Sequence, residues 1–160
     1  MANSPSPEKL EKRARNVLLF QLSKSMKTKH QLAEILVKRE IPDEIALPLL
    51  DRFEEVQLID DAAFAASYVR SRLERGKSSR LIARELAQKG VSKDIAEQAL
   101  SVISQDDEQA MVLELAKVRW ERLGNVDRET RYRRVSGFLL RRGFAPGLVS
   151  SALREVGASD

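Results

Sequence analysis

Seven basic side chains fall between positions 70 and 89, namely Arg70, Arg72, Arg75, Lys77, Arg80, Arg84 and Lys89, and the only acids among them are Glu74 and Glu85. A guanidinium group pairs bidentately with a phosphate or a carboxylate, so a run of this kind can bind an anionic partner, either nucleic acid or an acidic protein surface. A plainer reading is a solvated helix face, with Glu74 one turn from Arg70 and Glu85 one turn from Lys89. A second group, Arg131, Arg134, Arg141 and Arg142, lies near the end within a wider cluster that includes Arg128 and Arg133.

Chemistry beyond binding finds little purchase. The chain has no cysteine, which excludes disulfides, thiolate metal sites and cysteine nucleophiles. His30, the single histidine, stands at a polar helix start between Lys29 and Gln31, where a surface role is expected and no ligand partner is near in sequence. The pairs Asp60-Asp61 and Asp106-Asp107 read as helix-capping carboxylates before they read as magnesium ligands. Gly76 is isolated, and no glycine-rich phosphate loop occurs. No nucleophile and base stand at a recognisable spacing, so the sequence points to a protein that is not an enzyme and needs neither metal nor cofactor. Tyr68 follows Phe64 by one helical turn, which is core spacing, and Trp120 is assigned to packing between repeats.

The elements that must carry these arginines repeat. Aligning Ile41, Val91 and Phe144 brings three apolar series into register: Ile41, Ile45, Leu49, Leu50, Phe53; Val91, Ile95, Ala99, Leu100, Ile103; and Phe144, Leu148, Ala152, Leu153, Val156. Steps of this kind place each set on one helical face. Nine residues before the anchor stand Leu32, Ile82 and Val135, and five before it Leu36, Leu86 and Leu139, marking a second helix in each copy. Gly90 and Gly143 directly precede their anchors, where a left-handed helix end favours glycine, and Glu40 takes that place in the first copy. A longer helix opens each copy, over roughly 7–25, 61–75 and 107–123, with Thr28 and Gln31 forming a capping box for the helix that follows the first. Pro48 is expected to bend or interrupt its helix.

The 160 residues are rich in apolar and charged types, with few glycines and prolines and no alternating strand pattern. This is the balance of a folded, all-α protein. The expected organisation is a flexible N-terminus over 1–5, three-helix repeats over 6–59, 60–105 and 106–157, and a flexible C-terminus over 158–160. Repeats of this size that touch mainly their neighbours are expected to form an elongated, curved array. The charge is +4, with residues 1–60 balanced in sign. No secretory signal and no membrane-length apolar run is read, which points to a cytoplasmic protein.

The segment Leu58-Ile59-Asp60-Asp61-Ala62-Ala63-Phe64-Ala65-Ala66-Ser67-Tyr68-Val69-Arg70-Ser71-Arg72 closely resembles the RecX family. The likeness continues through Gly76, Arg80, Ile82, Glu85-Leu86 and Lys89-Gly90-Val91. It extends more weakly to His30-Gln31-Leu32 and to Phe138-Leu139-Leu140-Arg141-Arg142-Gly143-Phe144. The chain departs from the family pattern at Gln57, where glycine is frequent, and at Lys77-Ser78-Ser79, where an aromatic-glycine-proline run is frequent. The resemblance implies a monomeric modulator of the RecA recombinase, acting in recombination, repair and the SOS response. It would lodge in the groove of the RecA filament on single-stranded DNA and inhibit ATP hydrolysis and strand exchange, with double-stranded DNA a further possible ligand. A stand-alone DNA-binding protein with helix-turn-helix-like modules is the alternative that three-helix units leave open.

Overall fold

The structure is a computed structural model that describes residues 5–158. Among the described residues the chain forms nine α-helices and no strand. They are α1 Pro7–Lys24, α2 Lys29–Lys38, α3 Asp43–Glu55, α4 Asp61–Glu74, α5 Ser79–Gln88, α6 Lys93–Leu100, α7 Gln105–Arg122, α8 Arg128–Arg141 and α9 Pro146–Ala158. Of the ends expected to be flexible, 1–4 and 159–160 lie outside the described residues, and Ala158 belongs to α9. None of the described helices is long and apolar enough to cross a membrane.

Helix starts are set by short polar side chains. Ser6 caps α1 with Pro7 in the first turn, and Thr28 with Gln31 closes a full capping box on α2. The start of α7 differs from expectation. Ser104 is the cap, and Asp107 is its reciprocal partner, accepting from the Ser104 N–H at 3.1 Å while the Asp107 N–H donates to Ser104 Oγ at 3.0 Å. A hydroxyl three residues ahead of a carboxylate satisfies two helix donors at once, which a carboxylate pair alone does not. Asp60 does cap α4, through the Ala63 N–H at 3.0 Å. Helix α3 runs uninterrupted through Pro48, because the loss of one backbone bond is outweighed by burial of Ala46, Leu49, Leu50 and Phe53 on its inner face.

The end of each second helix repeats the same hydrogen bonds. Ile41, Val91 and Phe144 each donate a backbone N–H to the carbonyl five residues back, on Leu36, Leu86 and Leu139, at 3.0, 3.1 and 3.3 Å. Glu40, Gly90 and Gly143 between them take positive φ values of 61°, 81° and 91°. This six-to-one closure with an apolar residue after a left-handed one is the Schellman motif, and it explains the fixed five-residue interval found in the sequence. The three anchors and the six apolar residues upstream of them, Leu32, Leu36, Ile82, Leu86, Val135 and Leu139, are all buried. Gln57 at the end of α3 also has positive φ, 62°, which is the physical reason glycine suits that place.

The chain groups into two compact units, Met1–Ser67 with Leu86–Ala96, and Tyr68–Glu85 with Glu97–Asp160. In the first, α1, α2 and α3 enclose Ala14, Leu18, Leu32, Leu36, Leu50, Phe53 and Ile59. In the second, α7, α8 and α9 enclose Val112, Ala116, Trp120, Val135, Leu139, Phe144 and Leu153. Trp120 therefore packs inside the third triplet rather than between repeats, buried in one cluster with Val135, Leu139 and Leu153. The second copy of the apolar series is the weakest: α6 ends at Leu100, leaving Ile103 beyond the helix and half-buried.

One joint recurs within each unit. In the first, Thr28 Oγ1 donates to the Lys89 carbonyl at 2.6 Å, and Gly90 lies so close to His30 that an added Cβ would fall inside the His30 side chain. In the second, the Ser78 N–H donates to the Arg142 carbonyl at 3.0 Å, and a Cβ on Gly143 would meet Ser78 Oγ and come within 2.6 Å of Leu81 Cβ. Carboxylates reinforce both joints. Asp61 Oδ1 accepts from the Lys29 N–H at 2.9 Å, and Glu108 accepts from the Ser79 N–H and Oγ at 2.9 and 2.8 Å. Glu40 holds the equivalent turn at the end of α2, with the same positive φ and an exposed side chain.

Gly90→Ala should cost about 2 kcal/mol or more, because a left-handed Cβ penalty of ~1–2 kcal/mol adds to overpacking against His30. Glu40→Gly, at the equivalent turn, should instead raise stability by up to about 1 kcal/mol. Urea unfolding followed by circular dichroism compares the two, and effects of the same sign would contradict the joint described for Gly90.

Candidate anion-binding interface

The first basic run separates into internal and exposed members. Helix α4 presents Tyr68 and Arg72 towards α5, where Glu85 receives three partners. Tyr68 Oη donates to Glu85 Oε2 at 2.7 Å, Lys77 Nζ donates to Oε1 at 2.9 Å, and Arg72 Nε stands 3.7 Å from Oε2 as an ion pair. The Arg72 guanidinium also stacks over the Tyr68 ring at 4.2 Å. Burial by itself pushes the Glu85 carboxyl up, but the hydrogen bonds from Lys77 and Tyr68 and the charges of Lys77 and Arg72 outweigh it and hold the group below the ordinary glutamate range. Burial, together with the bond to Glu85, pushes the Tyr68 hydroxyl above its usual range.

Arg72 and Lys77 are thereby spent on the fold. Arg70, Arg75, Arg80 and Arg84 are exposed, and none of their guanidinium groups is in an ion pair among the described residues. Arg80 and Arg84 sit one turn apart on α5 and so share a face. Lys89 belongs to the other compact unit, where its carbonyl accepts from Thr28. Glu85 pairs with Lys77 and Arg72, and among the described residues no ion pair joins Glu74 to Arg70. His30, half-exposed, pairs with Glu34 at 2.9 Å.

The second group divides in the same way. Arg131 Nε donates to the Trp120 carbonyl at 2.7 Å and its guanidinium covers the Trp120 ring at 4.2 Å, tying the end of α7 to α8. Arg142 donates to the Arg75 carbonyl and lies 4.9 Å from the centre of the Phe138 ring. Arg134 and Arg141 remain, and they do not stand alone. With Arg119 and Arg133 they line a cleft of about 480 Å³ between α7 and α8, floored by Leu123, Gly137 and Phe138. The Arg119 guanidinium stacks on Phe138 at 4.0 Å. Among the described residues no carboxylate lines this cleft.

Four guanidinium groups, none of them in an ion pair among the described residues, stand on walls that are otherwise apolar, and such groups have the chemistry to pair with oxyanions, whether phosphates or carboxylates. Arg119 is not in either basic cluster of the sequence, and Arg133 is named there only in the wider cluster, outside the expected contact set. The spacing of Arg133, Arg134, Gly137, Phe138 and Arg141 follows one helical face and could have disclosed Arg133. Arg119, on a different helix, enters only through packing. Among the described residues no group of three or more His, Asp or Glu side chains is placed to hold a metal ion.

Glu85→Gln should cost about 1–2 kcal/mol at neutral pH by breaking charge-assisted bonds at a mostly buried site. Because the folded-state carboxyl is depressed, its contribution is present above the ordinary glutamate range and is lost as pH falls through the lower folded value. The stability difference between wild type and variant, from urea titrations across pH, should therefore shrink on acidification, and a gap that widened in acid would refute the network.

A family model described as RecX, second three-helix domain, matches residues 60–100, and one described as RecX, third three-helix domain, matches residues 106–153. The latter span includes all four arginines of the cleft. Regulatory protein RecX of Thermobifida fusca is 40% identical over 153 residues, covering 95% of this chain and 83% of its own. The protein of the same name from Streptomyces coelicolor is 40% identical over 143 residues, covering 89% and 76%. The crystal structure of RecX from Lactobacillus salivarius superposes with a TM-score of 0.81 at 22% identity, covering 94% of this chain and 99% of that one, a likeness of fold. A second crystal structure, of a regulatory protein RecX, gives a TM-score of 0.76 at 28% identity over 90% of this chain and 71% of that one. With both three-helix models matched in order, and relatives at 40% identity aligned along nearly the whole length, the chain belongs to the RecX family of regulatory proteins.

Proposed function

We propose that this protein is a non-enzymatic regulator that binds the RecA nucleoprotein filament and restrains its ATP hydrolysis and strand exchange, and so modulates recombination and DNA repair in the cytoplasm. The observation that carries the reading is the arginine cleft, lined by no carboxylate among the described residues, in the domain matched by the third RecX model. A binding regulator needs charged surface held ready for an anionic partner, and Arg119, Arg133, Arg134 and Arg141 offer that without the desolvation cost of breaking an existing ion pair. Arg70, Arg75, Arg80 and Arg84 add exposed charge on α4, α5 and the turn between them. Arg72, Lys77, Arg131 and Arg142 act indirectly in this reading, by fixing the helices that carry the others.

Steady-state ATP hydrolysis by RecA on single-stranded DNA provides the test. Wild-type protein should lower the rate in a saturable manner, and R134E/R141E should raise the concentration for half-inhibition about tenfold or more while its circular dichroism spectrum stays unchanged. Loss of two desolvated charge pairs is worth at least ~1.4 kcal/mol, the equivalent of tenfold. RecA turnover that does not respond to saturating wild-type protein would reject the role, and an R134E/R141E variant as potent as wild type would reject the cleft. Tight sequence-selective DNA binding without RecA would favour the helix-turn-helix alternative.

A further inference from the structure

Residues 1–60 carry as many acids as bases, yet α1 sorts them by face. Glu8 and Glu11 turn to one side, where they line a groove with Glu44, Pro48 and Glu55 of α3. Lys9, Lys12 and Arg13 turn to another, where Arg39 from the end of α2 joins them around a groove of about 540 Å³. All four of these cations are exposed, and among the described residues none is in an ion pair and no carboxylate lines the groove.

The groove also holds Phe20, whose side chain is 54% exposed although it is a large aromatic on a helix with a well-filled inner face. Lys24 Nζ stands over that ring at 4.5 Å. Asn16, one turn before Phe20, lines the same groove and offers both a donor and an acceptor. From Lys9 to Phe20 the stripe extends about 17 Å along α1 at the helical rise per residue.

We propose that this face of α1 is a second binding site, for single-stranded nucleic acid, with a base stacked on Phe20 and phosphates held by Lys9, Lys12, Arg13 and Arg39. A row of cations leading to an exposed aromatic ring is the arrangement that sequence-tolerant single-strand binding uses, because every base has a π-face and every linkage has a charge. A duplex would satisfy the cations but keeps its bases stacked within the helix. An acidic peptide would likewise satisfy the cations and leave the ring without a planar partner. The site lies in the first compact unit and does not depend on the arginine cleft or on RecA.

The experiment is fluorescence anisotropy of labelled oligothymidylate with the full chain in the absence of RecA. Wild type should bind, with an affinity that falls steeply with salt. Phe20→Ala should weaken binding by about fivefold or more, the lower bound of one lost base stack, and Phe20→Trp should restore it. K12E/R13E should weaken it further and flatten the salt dependence. Phe20 is exposed, so unfolding curves should coincide with wild type. No binding by wild type, unchanged affinity of Phe20→Ala, equal affinity for duplex of the same length, or tighter binding of polyglutamate would each overturn the proposal. R134E/R141E in the same assay separates the two sites: loss of RecA inhibition with oligothymidylate affinity intact leaves this inference standing apart from the regulatory reading.

Discussion

The approach of one triplet's second helix to the glycine turn of the next governs much of what this chain can do. At each of the two joints a hydroxyl residue that starts a helix, Thr28 or Ser78, is fully buried against the turn ending the following second helix, at Lys89-Gly90 or Arg142-Gly143. A backbone this close tolerates no Cβ, and the turn itself requires positive φ, so two independent constraints converge on glycine. The carboxylates of Asp61 and Glu108 then cap the same helix starts from the first turn of the next long helix. Donors that would otherwise be orphaned at a buried helix end are satisfied across the joint.

That economy of carboxylates shapes the charge that remains. Asp60 and Asp107 are occupied in local caps, Asp61 and Glu108 in the joints, and Glu85 in the network with Tyr68, Lys77 and Arg72. Acids committed to helix ends and buried contacts are not available to neutralise arginines on the outer faces. The cleft between α7 and α8 is the clearest result. Phe138 and Leu123 supply an apolar floor on which Arg119 stacks, and the other guanidinium groups stand around it with no ion pair among the described residues. A planar, weakly hydrated cation on such a floor is prepared for a partner oxyanion at little desolvation cost.

Arginine clusters that look uniform along the chain are therefore of two kinds. Arg131 and Arg142 donate to main-chain carbonyls and cover aromatic rings, and Arg72 is held between Tyr68 and Glu85. Their positive charge is local cement. Arg80, Arg84, Arg134 and Arg141 are exposed and in no ion pair among the described residues. The same sorting operates in the first triplet, where a balanced total conceals one acidic and one basic face on α1.

The helical triplets were legible in the sequence, because a buried helical face imposes its period on residue types and the Schellman turn imposes a fixed interval between Leu36 and Ile41, Leu86 and Val91, and Leu139 and Phe144. The family was legible too, in the run from Leu58 to Arg72. Which arginines stay free could not be read, since an ion pair such as Lys77 with Glu85, or a stack such as Arg119 on Phe138, joins residues on different elements, and linear spacing reports only neighbours on one helix. Trp120 was misplaced and Ser104, the partner of Asp107 in the α7 cap, was missed for related reasons: the depth of a core and the hydroxyl that captures a helix start are decided by what packing leaves in reach. Sequence alone thus determined the helices and their repeat, through local periodicity and backbone preference. Tertiary structure decided where the charge is available, because availability depends on which opposite charges and ring faces the folded chain brings within a few ångströms.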